Sequence, residues 1–464
     1  MYRKCHNAFF TCIDFVNYRH RELIFCDIVN IAMDVINKYG NFIKNKIEKD
    51  PSAAKKMLGL GLTYESSRLQ TVPDKNIPKA LNTLNLLSVN SVKHALKNPE
   101  STVWVNLFAP VELLLSFGLS PLSIECFSSF LGGFRIEDYF LKHAENLGMS
   151  DTLCSYHKAF IGVTDTGVLP SPLMNLTTTL ACDCNVNTFR FISEKQNVDS
   201  FFLDIPYEYN EESEEYVVRQ LKNLISTLEG KLGVNFDETK LQEVLERENL
   251  SRELHAKALT MQSTKNYPST LTLQMFKLFA THLIPGSVEA LDYYLELVED
   301  MKTYPDSDAM RILWVHLLPY YQESLKKYFN LNPDFRIIGS DFDIDYREKM
   351  NTNKPLHALA RKMLLNMFNG PFERKIHAVE ALADELKPDG IIHFCHWGCK
   401  QSSGGVMEMK RVFDDKNIPF LILDGDGIDR RNSHDGQIST RTEAFFEMLE
   451  KKKSLRGETN NEKG

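Results

Sequence analysis

Two α/β lobes, each a parallel sheet with crossover helices, are what the sequence predicts, preceded by a helical N-terminal segment. Three observations predict them. Short apolar runs rich in β-branched and aromatic residues recur along the chain, and amphipathic stretches of helical spacing follow them. The alternation occurs twice, with a mostly helical stretch between its two occurrences. The runs are continuously apolar, as strands covered on both faces are.

The elements divide the chain as follows. Residues 1–97 read as a helical segment, with apolar residues at helical spacing over Phe25 to Ile47 and a loop marked by Pro73 and Pro78. The first lobe covers 98–235. Thr102 to Phe108 (TVWVNLF) is a strand, and Pro110 and Glu112 open a helix. Asn175 to Ala181 (NLTTTLA) and Phe201 to Ile205 (FFLDI) are two more strands, the last followed by a long helix from Glu211 to Leu232. Residues 236–303 form a helical connection. The second lobe covers 304–452. Its strands are Arg311 to Leu317, Arg336 to Gly339, Gly390 to Phe394 and Ile418 to Leu423, with helices at 355–368, 373–387, Val406 to Asp414 and Thr440 to Lys453. Residues 453–464 are polar and read as a disordered tail. The similar texture of the two units argues two Rossmann-like lobes.

Composition limits the function classes. Of 464 residues, 43% are hydrophobic and 25% charged, the balance of a globular protein. A net charge of -8 argues against nucleic acid and against anionic membranes as partners. No apolar run approaches the roughly 20 residues of a membrane span, and the N-terminus lacks the uninterrupted apolar core of a signal peptide. The expected compartment is the cytoplasm, where thiols stay reduced. Nine scattered cysteines are then not a disulfide framework. Cys5, Cys12, Cys26 and Cys126 read as small buried hydrophobes.

The remaining cysteines lie near strand ends, where open α/β sheets place their sites. Cys182 follows the strand ending at Ala181. Cys399 lies in the loop HFCHWGCKQSSGG after the strand Gly390 to Phe394, among glycines that let backbone amides approach a ligand. Cys154 lies in DTLCSYHKAF. Their positions place a site in the cleft between lobes. Spacing leaves a metal site, a zinc site and plain buried thiols all open, because no paired CxxC knuckles occur. Asp424, Asp426 and Asp429 after the last strand read more as caps than as cation ligands. Thr440 to Glu443 reads as a capping start for the last helix. No GxxxxGK[ST] sequence occurs, so ATP hydrolysis through a P-loop is not expected.

Four stretches together point further: AENLGMSDTLCSYHK (144–158), TTTLACDCN (177–185), HWGCKQSSGG (396–405) and LDGDGIDRRNSHDGQISTRTEAFFEML (423–449). With them the chain resembles, over roughly 100–452, the 2-hydroxyacyl-CoA dehydratase component family, which includes benzoyl-CoA reductase subunits and double-cubane cluster proteins. The resemblance implies a [4Fe-4S] cluster held by Cys154, Cys182 and Cys399, with one iron open as a Lewis acid. Cys184 is the rival for the second position and Cys395 a weaker one for the third. It implies elimination of water from an (R)-2-hydroxyacyl-CoA through a ketyl radical, after one electron arrives from a separate ATP-dependent activator protein. A second dehydratase subunit, or a second copy of the chain, is the implied partner. The alternatives are a reductase with an [8Fe-9S] double cubane shared across a homodimer, and a non-catalytic electron-transfer subunit. Ser155 and His396 are the candidate catalytic side chains; His396 and His157 both flank the proposed ligands, and each reads first as a buried, satisfied side chain and second as a donor to sulfide or a proton shuttle. The HWGCK form of the third motif departs from the best-known members and suggests a side branch.

Overall fold

The computed structural model describes residues 38–461, so the expectations for Cys5, Cys12, Cys26 and the start of the Phe25 to Ile47 pattern fall outside the described residues. Residues 38–49 are helical. Helix α1 (Pro51–Thr71) starts where the Asp50 carboxylate accepts the Ala53 amide at 3.0 Å and Pro51 occupies the first turn. It packs on α2 (Lys79–Lys97), whose apolar face, Leu81, Leu84 and Val92, is buried.

The first sheet follows. Strand β1 (Thr102–Val105) leads through α3 (Val111–Ser116) to β2 (Ser120–Ser123), then α4 (Ile124–Gly133), α5 (Glu137–Asn146) and α6 (Ser155–Asp165). Next come β3 (Met174–Thr178), α7 (Asp183–Gln196) and β4 (Ser200–Leu203). All pairings are parallel, in the order β2-β1-β3-β4. Among the described residues, β2 is the one strand that sequence reading passes over. It is four residues long and carries Pro121, which an edge strand tolerates because its missing N–H removes no bond a central strand would need.

The connection is helical. Helix α8 (Glu211–Leu232) is closed by a capping box between Asn210 and Ser213 and ends at Gly233, whose φ of 66° suits glycine. Helices α9 (Glu238–Gln262), α10 (Leu271–Leu278) and α11 (Val288–Lys302) lead to the second sheet.

That sheet comprises β5 (Met310–Val315), α12 (Glu323–Phe329), β6 (Phe335–Ser340), α13 (Pro355–Leu364), α14 (Phe372–Leu386), β7 (Gly390–His396), α15 (Lys400–Ser403), α16 (Val406–Asp415), β8 (Phe420–Gly425) and α17 (Asp435–Asn461). It too is wholly parallel, ordered β6-β5-β7-β8. The two sheets therefore share one topology: the second strand lies to one side of the first, and the third to the other. The crevice where this order reverses lies beyond β1 and β3 in one lobe and β5 and β7 in the other.

Two boundaries differ from expectation in ways that matter below. Strand β7 runs to His396, not Phe394, so Cys399 is the cap of a short helix rather than a member of an open loop. Helix α17 starts at Asp435, five residues before Thr440. The Thr440 hydroxyl bonds the Gly436 carbonyl at 3.0 Å one turn back, as a mid-helix threonine does, and does not cap. The same helix runs to Asn461, past the Lys453 at which the sequence pattern ends it.

Candidate metal centre

Cys154, Cys182 and Cys399 each occupy the cap position at the start of a helix, α6, α7 and α15 respectively. The first amides of a helix have no internal partner and carry partial positive charge, which favours a thiolate there. The amides of Tyr156 and His157 act in this way on Cys154, and those of Gln401 and Ser402 on Cys399. Burial works the other way and prevails. It pushes the Cys154 thiol well above its ordinary range and raises Cys399. Cys182 is raised first by its neighbour Cys184, then by burial and by Cys154 and Cys399.

The thiols thus share one electrostatic neighbourhood although they come from both lobes. Gly398 explains how the lobes approach. Its φ is +78°, and an added Cβ would lie 2.7 Å from the Thr152 carbonyl oxygen and 2.9 Å from the Cys154 nitrogen. Only a residue without a side chain lets the Cys399 turn touch the Cys154 segment. Buried thiols that oppose one another's ionisation stay protonated by themselves, and a bound cation is what would let them become thiolates together. Among the described residues no three His, Cys, Asp or Glu side chains are arranged to hold a single metal ion. A polynuclear cluster makes a different demand, since each thiolate binds its own iron and the sulfurs need not converge on one point.

His396 lies at the end of β7 and completes this arrangement. Alternation along the strand sends Cys395 and His396 to opposite faces. Cys395 packs with Val406, Met409 and Phe413 in an apolar cluster. His396 is buried against the ring of Tyr156, 5.2 Å between centroids. Its Nδ1 accepts the Gly427 amide at 2.9 Å, so Nε2 carries the hydrogen, and Nε2 lies 3.3 Å from the Cys154 sulfur. Burial holds the imidazole below its ordinary pKa, against the pull of Asp426 at 3.8 Å, so it donates to sulfur as a neutral ring. The Ser155 hydroxyl donates to Asp426 Oδ1 at 2.5 Å rather than toward a thiol. Asp426 also accepts the Ile428 and Asp429 amides, and Asp429 binds Arg431, so these two buried aspartates order the turn that presents Gly427. Asp424 is exposed and pairs with Arg441. His157 is turned away, bonded to the Thr188 hydroxyl at 2.9 Å, and burial drives its pKa to about 3.

The model of the 2-hydroxyglutaryl-CoA dehydratase, D-component, family matches residues 106–449, most of the chain and every site residue just described. The chain belongs to this family. Members of known activity are distant relatives. The lactoyl-CoA dehydratase subunit alpha of Anaerotignum propionicum is 23% identical over 76% of this chain and 91% of its own length. The (R)-phenyllactyl-CoA dehydratase alpha subunit of Clostridium sporogenes is 23% identical over 84% and 99%. A benzoyl-CoA reductase subunit from Thauera aromatica is 24% identical over 67% and 80%. Dehydratases of this kind are hydro-lyases, so the family is one of enzymes.

One residue of the site escapes sequence reading. His316 follows β5 directly, and the run RILWVHL reads as though it continued that strand. Instead its backbone turns to φ 75°, a conformation uncommon outside glycine, and its amide donates to Asp341 Oδ1 at 2.7 Å. The turn brings Nε2 to 3.6 Å from the Cys399 sulfur. Asp341 in turn pairs with the buried Lys375 at 3.1 Å. No signal in the local pattern marks it, because a histidine ending an apolar run reads as a strand residue.

Proposed function

We propose that this chain is the iron–sulfur subunit of a 2-hydroxyacyl-CoA dehydratase-type enzyme, with Cys154, Cys182 and Cys399 as ligands of a [4Fe-4S] cluster. The observation that supports this most is the meeting of cap cysteines from two lobes at the crevices of both sheets, within a family of dehydratases. Such a cluster supplies one-electron chemistry and, at an iron without a cysteine, Lewis acidity toward a hydroxyl or carbonyl oxygen.

The chain's own residues divide the work. His396 fixes the Cys154 sulfur with a neutral N–H, and Gly427 fixes His396. Ser155 and Asp426 hold the turn that carries Gly427, so both act as positioning residues. His316 reaches the Cys399 sulfur from the other side. Cys154 is buried, while Cys182 and Cys399 are partly exposed. The substrate in this reading is an (R)-2-hydroxyacyl-CoA. Two relatives are named as alpha subunits of dehydratases, which supports a second subunit as partner. The chain has no P-loop sequence, in keeping with a separate ATP-dependent activator as the electron source. The kinship with a benzoyl-CoA reductase favours a reductase as the second reading.

Anaerobic reconstitution followed by iron and sulfide analysis and EPR tests the proposal. About four irons per chain are expected for the wild type, with Cys399→Ser losing most of them. Full iron retention in Cys399→Ser defeats the ligand assignment.

A further inference from the structure

The connecting helix α9 buries a polar stripe. Glu248, Ser251 and His255 recur at helical spacing, are 3%, 2% and 6% exposed, and line a cavity of about 210 Å³. The loop after β6 forms the facing wall. Charges in the wall are matched almost throughout. Lys362, Lys349, Arg361 and Lys277 lie 2.7 to 3.8 Å from the carboxylates of Glu248, Glu253, Glu348 and Asp343, and Arg347 is paired with Glu385. Arg252 is the exception. Its guanidinium stacks 4.8 Å from the centre of the Tyr346 ring and reaches the Glu348 carbonyl at 3.5 Å. Among the described residues no carboxylate lies within ion-pair distance of it. On the same helix two buried polar atoms, Glu248 Oε2 and Ser251 Oγ, have no hydrogen-bond partner within the chain, a costly state for groups removed from water. The cavity shares its wall with the cleft between the lobes. Thr281, Asp345 and Lys362 also border a narrower cleft that reaches Leu180, two residues before Cys182. Phe342, beside Asp343, meets the His316 ring edge-on at 5.4 Å, and His316 lies 3.6 Å from the Cys399 sulfur.

We propose that this cavity binds an anionic part of the substrate, with Arg252 holding the anion while Glu248 and Ser251 bond a hydroxyl or amide group next to it. The inference rests on the dehydratase reading above and adds to it a recognition site beside the reacting centre. A guanidinium held flat on a ring presents a fixed fork of N–H donors that suits a carboxylate or a phosphate. A free carboxylate oxygen only accepts, so the ligand must bring an N–H or O–H to Glu248. Lys362 offsets the Glu248 charge, so that carboxylate does not exclude an anion from the cavity. At roughly 30 Å³ per water the space suits a short polar chain, not a whole acyl-CoA. Two parts of an acyl-CoA carry the required chemistry: the pantetheine arm with its amides and phosphates, and an acyl chain that ends in a carboxylate.

Calorimetric titration of the anaerobically loaded full-length protein tests this, with CoA, pantetheine and glutarate as probes. Wild type is expected to bind CoA or glutarate, more weakly as salt rises. Arg252→Ala should weaken that binding by about tenfold or more, Arg252→Lys by less, and Ser251→Ala by a few-fold. If phosphate is the anion, CoA binds more tightly than pantetheine and CoA alone responds to Arg252. If a carboxylate is the anion, glutarate responds. Circular dichroism of the three variants separates lost binding from misfolding. Wild type that binds neither CoA nor glutarate, or binding that Arg252→Ala leaves unchanged, overturns the proposal. The iron content of the same samples keeps the two readings apart. Full iron without binding removes this site and leaves the cluster. Binding that depends on Arg252 in a chain that takes up no iron removes the cluster and leaves the site.

Discussion

The two lobes have the same strand order but contribute different chemistry at the same place. Beyond the third strand of each sheet lies a cap cysteine, Cys182 after β3 and Cys399 after β7. Beyond the first strand the lobes diverge. After β1 comes Asn106, whose amide bonds Thr177 and Thr178 and ties two strand ends together. After β5 comes His316, which turns out of the strand and reaches Cys399. The first lobe brings Cys154 and Cys182 to the boundary, and the second brings Cys399 with the imidazoles of His316 and His396. In the proposed reading, equivalent positions in a repeated topology are divided between holding the cluster and shaping the sulfurs that hold it, which is how a common scaffold acquires an asymmetric site.

Breaking the boundary itself gives the largest effect on folding. Lys362 of α13 bonds Glu112 of α3 and lies 2.7 Å from Glu248 of α9, with both carboxylates buried. Burial pushes Glu112 up to about 7, even with the ammonium beside it. Lys362→Ala leaves two buried carboxylates without their cation and should cost about 3–5 kcal/mol in chemical denaturation. Lys362→Arg, which keeps the charge, should recover part of it. An effect below about 1 kcal/mol would show that the lobes do not depend on this contact.

The division between thiols and imidazoles is sharpened by His396→Phe, which keeps a ring against Tyr156 but removes the N–H directed at Cys154. Iron content should persist, because no ligand is lost. The reduction potential should move to more negative values, since a sulfur that has lost a hydrogen-bond donor stabilises the reduced cluster less. An unchanged potential would make His396 a packing residue only.

The smallest effect comes from the solvent side of the boundary. Arg431 joins Glu145 of α5 at 2.6 Å and also binds Asp429. The Arg431 guanidinium, with help from Lys158, holds the Glu145 carboxyl down at about 2. A carboxyl depressed in the folded state stabilises above its unfolded pKa of roughly 4.3, and that contribution fades as pH falls toward about 2. Arg431 is half exposed, so solvent screens the pair and Arg431→Ala should cost under about 1 kcal/mol at pH 7. The difference between wild type and variant should vanish near pH 2, and a difference that grew with acid would contradict the assignment.

What the sequence makes legible is set by range. The strands, the long helix Glu211–Leu232 and the strand-end cysteines are local patterns, and they read correctly because a buried parallel strand and a capped helix announce themselves within ten residues. The contacts that build the site are not local. Cys154 and His396 are 242 residues apart, and Cys399 and His316 are 83 apart, so nothing in either neighbourhood specifies the partner. His316 is further hidden by its own context, since its function depends on a backbone turn that an apolar run does not foretell. Strand β2 escapes for the opposite reason: its signal is local but carried by a proline and two serines.

Anomalous diffraction at the iron edge from crystals of the anaerobically loaded protein tests the central claim most directly. The account predicts one compact group of iron peaks at the boundary of the two lobes, within bonding distance of the Cys154, Cys182 and Cys399 sulfurs. Iron peaks lying elsewhere, or no iron bound to those three cysteines in loaded protein, would contradict it.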